Sequence, residues 1–161
     1  MKVFISWSGE LSHRIALSLS DWLPAVLPFV KPWVSSEDMH GGTRGSILFA
    51  NALKGTRAGI ICVVQDNLTE PWLMFEAGAL SRSVTRARAH PLLVSVERHE
   101  LPGPLAQLSD TRFSRDDMRN LIHALNSEAV GATLPTPIVD RSFHVCWPNL
   151  EKRFNSCCMY R

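Results

Sequence analysis

The chain has no run of one charge. Its 17 lysines and arginines nearly balance 15 aspartates and glutamates, leaving a formal net charge of +2 at pH 7. No Lys/Arg cluster resembles a binding patch for nucleic acid, so no nucleic-acid partner is expected. The densest basic segment, Arg82 to Arg88, spreads three arginines over seven residues and suits the solvated end of a helix. Long apolar runs are missing too: none approaches the roughly eighteen residues that cross a bilayer, which argues against a membrane partner. Met1-Lys2-Val3-Phe4-Ile5-Ser6 enters a strand pattern without the shape of a signal peptide. The four cysteines, at 62, 146, 157 and 158, contain no CxxC pair, and vicinal Cys157-Cys158 makes a poor disulfide framework. Cys62, inside an apolar run, reads as a small buried hydrophobe. The six histidines are scattered without a metal-ligand spacing, so no metal site is expected. These absences describe a reduced, soluble, cytoplasmic protein.

The common phosphate and nucleotide fingerprints are likewise missing. There is no GxxxxGK[ST] loop and no GxGxxG after the first strand. His40-Gly41-Gly42 matches part of an oxyanion loop, but no GxSxG elbow exists to use it. A phospho-acceptor domain needs an acidic pocket at its strand ends. Here the first strand closes on Ser6-Trp7-Ser8 and the third on Val63-Val64-Gln65-Asp66.

What is present is ordinary globular material, 45% hydrophobic and 20% charged over 161 residues. That is enough for one domain burying roughly two-thirds of its unfolded surface. Lys2 to Ser6 reads as a buried first strand. Ser12 can cap a helix whose apolar residues, Ile15 to Val26, keep helical spacing until Pro28. Lys31 to Ser35 reads as a second strand, Ser36 to Gly45 as a polar, glycine-rich loop, and Ser46 to Lys54 as a helix stopped by Gly55. Ala58 to Val64 is apolar on both faces, as a central parallel strand should be. His90 to Val96 is the expected fourth strand, its pattern broken at the start by Pro91, and Leu101 to Leu108 a connection with a helical turn. Thr111 to Phe113 suits an edge strand, and Ser114 caps a helix to about Glu128. After a loop from Gly131 to Pro137, Ile138 to Asn155 forms a last helix, interrupted or begun afresh at Pro148. Strand and helix alternating in this way argue an α/β, doubly wound parallel sheet with helices on both faces. Ligands of such sheets bind outside the carboxyl ends of the strands. That places Ser6-Trp7-Ser8-Gly9, Ser35 to Gly45 and the approach to Trp72 and Glu76 on one rim.

The stretch Pro71-Trp72-Leu73-Met74-Phe75-Glu76-Ala77-Gly78-Ala79-Leu80 stands out, with one charge in an apolar decapeptide. Thr69 or Asn67 can cap a helix here, with Glu70 and Pro71 in its first turn. Trp72 and Glu76 then share a face one turn apart. A carboxylate in such company needs a partner or a purpose. A structural ion pair, a helix face that reaches water and a functional acid beside an indole all satisfy that demand.

Several stretches together resemble a bacterial Toll/interleukin-1 receptor (TIR) domain. They are Phe4-Ile5-Ser6, Ser35-Ser36-Glu37-Asp38 followed by Gly42, Gly59-Ile60-Ile61-Cys62, and Asn67-Leu68 leading to Pro71 through Ser81. The similarity runs over residues 1 to about 128, and Trp147-Pro148-Asn149-Leu150-Glu151 is similar to the closing helix of bacterial members. The resemblance implies a flavodoxin-like open sandwich with a five-stranded parallel sheet. The expected organisation is one TIR domain over 1–161, with a core to about 128 and a helical extension over about 131–158.

Many members cleave NAD+ at the nicotinamide–ribose bond. Stand-alone bacterial ones serve in anti-phage defence of the Thoeris type, making a cyclic ADP-ribose isomer that switches on a separate effector. NAD+ would thus be substrate, with no cofactor. The family's catalytic glutamate falls on Glu76 and its tryptophan on Trp72. Ser6, Trp7, Ser8 and Gly9 would face the nucleotide, partly through backbone N–H groups, and Asp38 lies in the loop that covers the site. Trp33 and Ser35 complete the expected binding set. The chain departs from the family pattern about three residues past the loop glycine: Gly42-Thr43-Arg44-Gly45 has no aromatic to stack on the nucleotide. Arg44 could bind a diphosphate instead, or a neighbouring protomer could lend an aromatic. Other TIR protomers are expected partners, since the family also signals through TIR–TIR assembly, and a non-catalytic scaffold is the competing expectation. A nucleoside-processing glycosidase on a similar sheet would also use one glutamate.

Overall fold

A computed structural model describes residues 1–35, 51, 54–71 and 88–159 of the protein. Five strands, β1 (Lys2–Ser6), β2 (Lys31–Val34), β3 (Thr56–Val64), β4 (Arg88–Val94) and β5 (Thr111–Arg112), form one sheet in the order β2-β1-β3-β4-β5. Every pairing is parallel. This is the flavodoxin-like order, in which the first strand lies inside the sheet and the chain reverses its lateral direction between β1 and β3.

Alternation along the strands divides two apolar layers. Val3, Ile5, Ile60, Cys62, Val64, Leu92 and Val94 point to one face. There they pack against α1 (Glu10–Val26), α2 (Arg115–Glu128) and α3 (Thr136–Met159). Phe4, Ile61, Val63 and Leu93 point to the other, packing with Leu68, Val96, Leu101 and Leu105. Leu105 comes from a 3-10 turn over Gly103–Gln107, the expected helical turn. The helices expected over 46–54 and 70–81 lie largely outside the described residues, so the described α-helices all belong to the first face.

The structure moves several boundaries. Helix α1 begins at Glu10 with Gly9 as its N-cap, not at a Ser12 cap, because the Ser12 hydroxyl turns back onto the Ser8 peptide. Pro91 sits inside β4, paired with Ile61. Phe113 N–H donates to the Leu93 carbonyl, so Leu93 faces β5 with its backbone, and Pro91, two residues earlier, faces the same side. Pairing with β5 starts only at Leu92, so the missing N–H of Pro91 costs no ladder bond. Helix α3 runs unbroken through Pro148, from Thr136, with Pro137 in its first turn. Val139, Phe143, Trp147, Leu150 and Phe154 bury one stripe on both sides of the proline. The carbonyl that Pro148 leaves unpaired belongs to exposed His144, where water can serve it. Ser114 caps α2 as expected, its Oγ accepting the Asp117 N–H at 3.2 Å.

Candidate functional site

The reversal between β1 and β3 marks the place, at the carboxyl ends of those strands, where sheets of this order leave a crevice, and the β1–α1 turn, the end of β2 and the turn after β3 border it. Residues from all three meet there. Gly9 has φ +85° and ψ 163°, a region essentially confined to glycine, and a Cβ built there would meet none of the described residues within 4 Å. Conformation, not crowding by the described residues, demands glycine. Helix α1 has no side-chain cap.

Ser8 is held on both sides of its peptide. Its N–H donates to Ser12 Oγ at 2.9 Å, and its carbonyl accepts from Ser12 Oγ at 2.5 Å. The same carbonyl accepts from Asn67 Nδ2 at 3.1 Å. Asn67, 1% exposed, also donates to the Cys62 carbonyl and accepts the Val64 N–H through Oδ1. Read in sequence as a helix cap, Asn67 instead turns back and ties β3 to the β1–α1 turn. The Ser8 N–H, one of the backbone donors expected to face a nucleotide, is already committed.

Trp7 belongs to the core. Its ring is buried and stacks on His13 at 4.0 Å, and its indole N–H donates to the Ser35 carbonyl at 2.6 Å. What Trp7 offers the rim is main chain. Trp33 stacks on Phe4 at 5.1 Å, with the Lys2 ammonium 5.3 Å from its ring centre, so it packs the second face of β2 short of the strand end. Ser35 continues the β1–β2 ladder for one step, donating its N–H to the Ile5 carbonyl.

Ser6 follows Phe4 by two residues and Ser35 follows Trp33 by two, so both side chains turn to the second face. Both residues are buried, and neither hydroxyl has a hydrogen-bond partner among the described residues. A buried hydroxyl without a partner costs roughly 1–3 kcal/mol. Ser6 and Ser35 follow the last residues that β1 and β2 pair with each other, Ile5 and Val34. Glu76, Trp72, Asp38 and Arg44 lie outside the described residues, as does Gly45.

Other chemistry lies elsewhere. Asp140, on α3, is held well below the usual carboxylate range, at about 2, first by the Arg119 guanidinium and then by His123. Arg119 meets it with two hydrogen bonds of 2.8 Å, and His123 Nε2 lies 2.7 Å from Oδ1. With Arg115 against His144 Nδ1 at 2.7 Å, this is a polar ladder joining α2 to α3. Burial pushes the Cys146 thiol up, away from reactivity. Among the described residues no three His, Cys, Asp or Glu side chains gather as a metal would require. Cavities of about 290 and 470 Å³ lie by β4 and β5, sharing Glu97 and Arg112, and neither includes Ser6, Ser8 or Ser35.

No protein-family model matches the chain. No curated protein matches it either. Among solved structures it is similar to the TIR domains in the activated Roq1 resistosome directly recognizing the pathogen effector XopQ, at 13% identity and a TM-score of 0.43, over 96% of this chain and 83% of that one. A likeness at that level concerns general fold and transfers no residue.

Proposed function

We propose that the chain is a TIR-domain enzyme that cleaves NAD+ at its nicotinamide–ribose bond, with the crevice at the β1/β3 reversal as its nucleotide site. The observation that carries this reading is the buried, unpartnered hydroxyl pair of Ser6 and Ser35 at that crevice. Polyhydroxylated, phosphate-bearing ligands supply the contacts such a pair lacks. The connection from β3 to β4 starts from the same rim, at the carboxyl end of β3. The sequence between those strands contains Glu76.

The chemistry asks little of the protein. Nicotinamide leaves as a neutral pyridine from a cationic pyridinium, so no general acid is required and one carboxylate suffices, unlike the paired acids of most glycosidases. Glu76 would hydrogen-bond the ribose hydroxyls and stabilise the oxocarbenium-like transition state, an effect magnified where water is excluded. Trp72 would wall the site, Asp38 would belong to its cover, and Arg44 would meet the diphosphate. Attack by water gives ADP-ribose. Attack by the substrate's own adenosine end gives a cyclic isomer, suited to act as a signal to a separate effector in anti-phage defence within the cytoplasm.

The deciding experiment is mass-resolved chromatography of NAD+ incubated with concentrated protein, wild type beside Glu76→Ala. Nicotinamide released by the wild type alone is the expected result, and the mass of the second product separates hydrolysis from cyclisation. Equal turnover in the variant would overturn the assignment. The absence of an aromatic at Arg44-Gly45 favours a scaffold that signals by TIR–TIR assembly. In that case neither protein releases nicotinamide, and self-association is independent of NAD+.

A further inference from the structure

We infer that Asn67 is a positioning residue, the clamp that sets the shape of the crevice by fixing the β1–α1 turn against the end of β3. The inference rests on the proposed nucleotide site, which it deepens, but its geometry stands without it.

The two sides of the crevice are not joined by a ladder bond beyond Ser6, which pairs with Ile61 as the last matched residue of β1 and β3. From there β3 continues through Val64, while β1 gives way to the turn that starts α1. Asn67 spans the gap with one bond to the turn and two that anchor it to β3. Its amide donates to Ser8 O at 3.1 Å and to Cys62 O at 3.0 Å, and its carbonyl accepts Val64 N–H at 2.9 Å. Both donors and the acceptor of a 1% exposed side chain are thereby used. Ser12 holds the same Ser8 peptide from the α1 side. The Ser8 carbonyl between them is thus held from both sides, and Gly9, with φ +85°, follows immediately after it. Because Asn67 gives all its polar atoms to backbone, it has none left for a ligand. Its effect on a bound nucleotide passes through the placement of Ser8 and Gly9.

The test is Asn67→Ser, whose hydroxyl is too short to reach from β3 to Ser8, with Ser12→Ala as the second variant should the first fail to fold. Ser12→Ala frees the same peptide from its other side. Amide hydrogen exchange of apo protein, resolved by peptide, reads the clamp itself. Exchange at Ser8, the amide of that turn whose N–H is bonded, should accelerate by about tenfold, the loss of one buried hydrogen bond, with the β1 residues before it unchanged. Steady-state NAD+ kinetics reads its consequence: KM should rise by about tenfold while kcat changes far less, a split that general destabilisation does not produce. Unchanged exchange at Ser8 overturns the clamp. Faster exchange with KM and kcat both unchanged overturns its role in positioning. If the wild type releases no nicotinamide under any condition, the proposed enzyme fails, and the role of the clamp in binding is decided by the NAD+ dissociation constant, which should weaken in the variant; equal constants overturn it.

Discussion

Ser6 and Ser35 present an unusual trade at the scale of single residues. Each hydroxyl is buried where nothing described bonds it, so replacing it with hydrogen, as alanine does, removes a penalty and leaves the packing nearly intact. Ser35→Ala should therefore leave the apo protein as stable or stabilise it by about 1 kcal/mol, a rise in Tm of about 2–4 °C. The same change should weaken NAD+ in the assay above. Thermal unfolding run beside that assay checks both halves, and a clear loss of stability would mean that the hydroxyl is structurally bonded. At this scale the sequence was legible in part. Ser6, Ser8, Gly9 and Ser35 do converge on the rim, because strand ends and glycine turns leave local signatures. The roles of Asn67 and Ser12 were hidden. Both read as caps, since a cap and a long-range clamp use the same side-chain atoms, and only the distance between residues 8 and 67 in space distinguishes them.

Among elements, the junction of α2 with α3 carries a measurable pH dependence. Asp140 sits at about 2 because Arg119 and then His123 bond its carboxylate. A carboxyl held lower in the folded than in the unfolded chain contributes stability above its ordinary value, and that contribution disappears as pH falls from about 4 toward 2. Denaturant titrations between pH 5 and 2 should therefore show a steeper loss in the wild type than in Asp140→Asn, with the variant less stable at neutral pH. Parallel pH curves would show that the ladder is solvated and idle. Elements were well legible where periodicity was strong: β1, α2 and the Ser114 cap fall where the sequence places them. Prolines misled. Pro91 and Pro148 read as breaks, yet tertiary surroundings tolerate both, one by a strand side that has no neighbour yet, the other by a carbonyl that meets water.

For the whole molecule, the length after residue 128 is part of the core and no mere extension. Val139, Phe143, Trp147, Leu150 and Phe154 join the same buried cluster as β1, β3 and α1, and the Trp22 indole N–H donates to the Cys146 carbonyl across the α1–α3 contact at 2.9 Å. At about 2 kcal/mol for each buried side chain, α3 contributes on the order of 10 kcal/mol as an upper bound. That equals the whole stability of an ordinary domain, about 5–15 kcal/mol. A chain ending at residue 131 should lose cooperative unfolding, as circular dichroism on heating would read; retention of a sharp transition would restore the extension as an appendage.

The strand order has one more consequence, for how copies of this chain can meet. The two edges of the sheet are β2, whose sequence is Lys-Pro-Trp-Val with the lysine exposed, and β5, only two residues long. A lysine and a proline on one border and too few free amides on the other deny a second sheet any template to zip onto. Polymers of this protein, if they grow, grow by docking folded side-chain surfaces, and so they can come apart again without unfolding a strand.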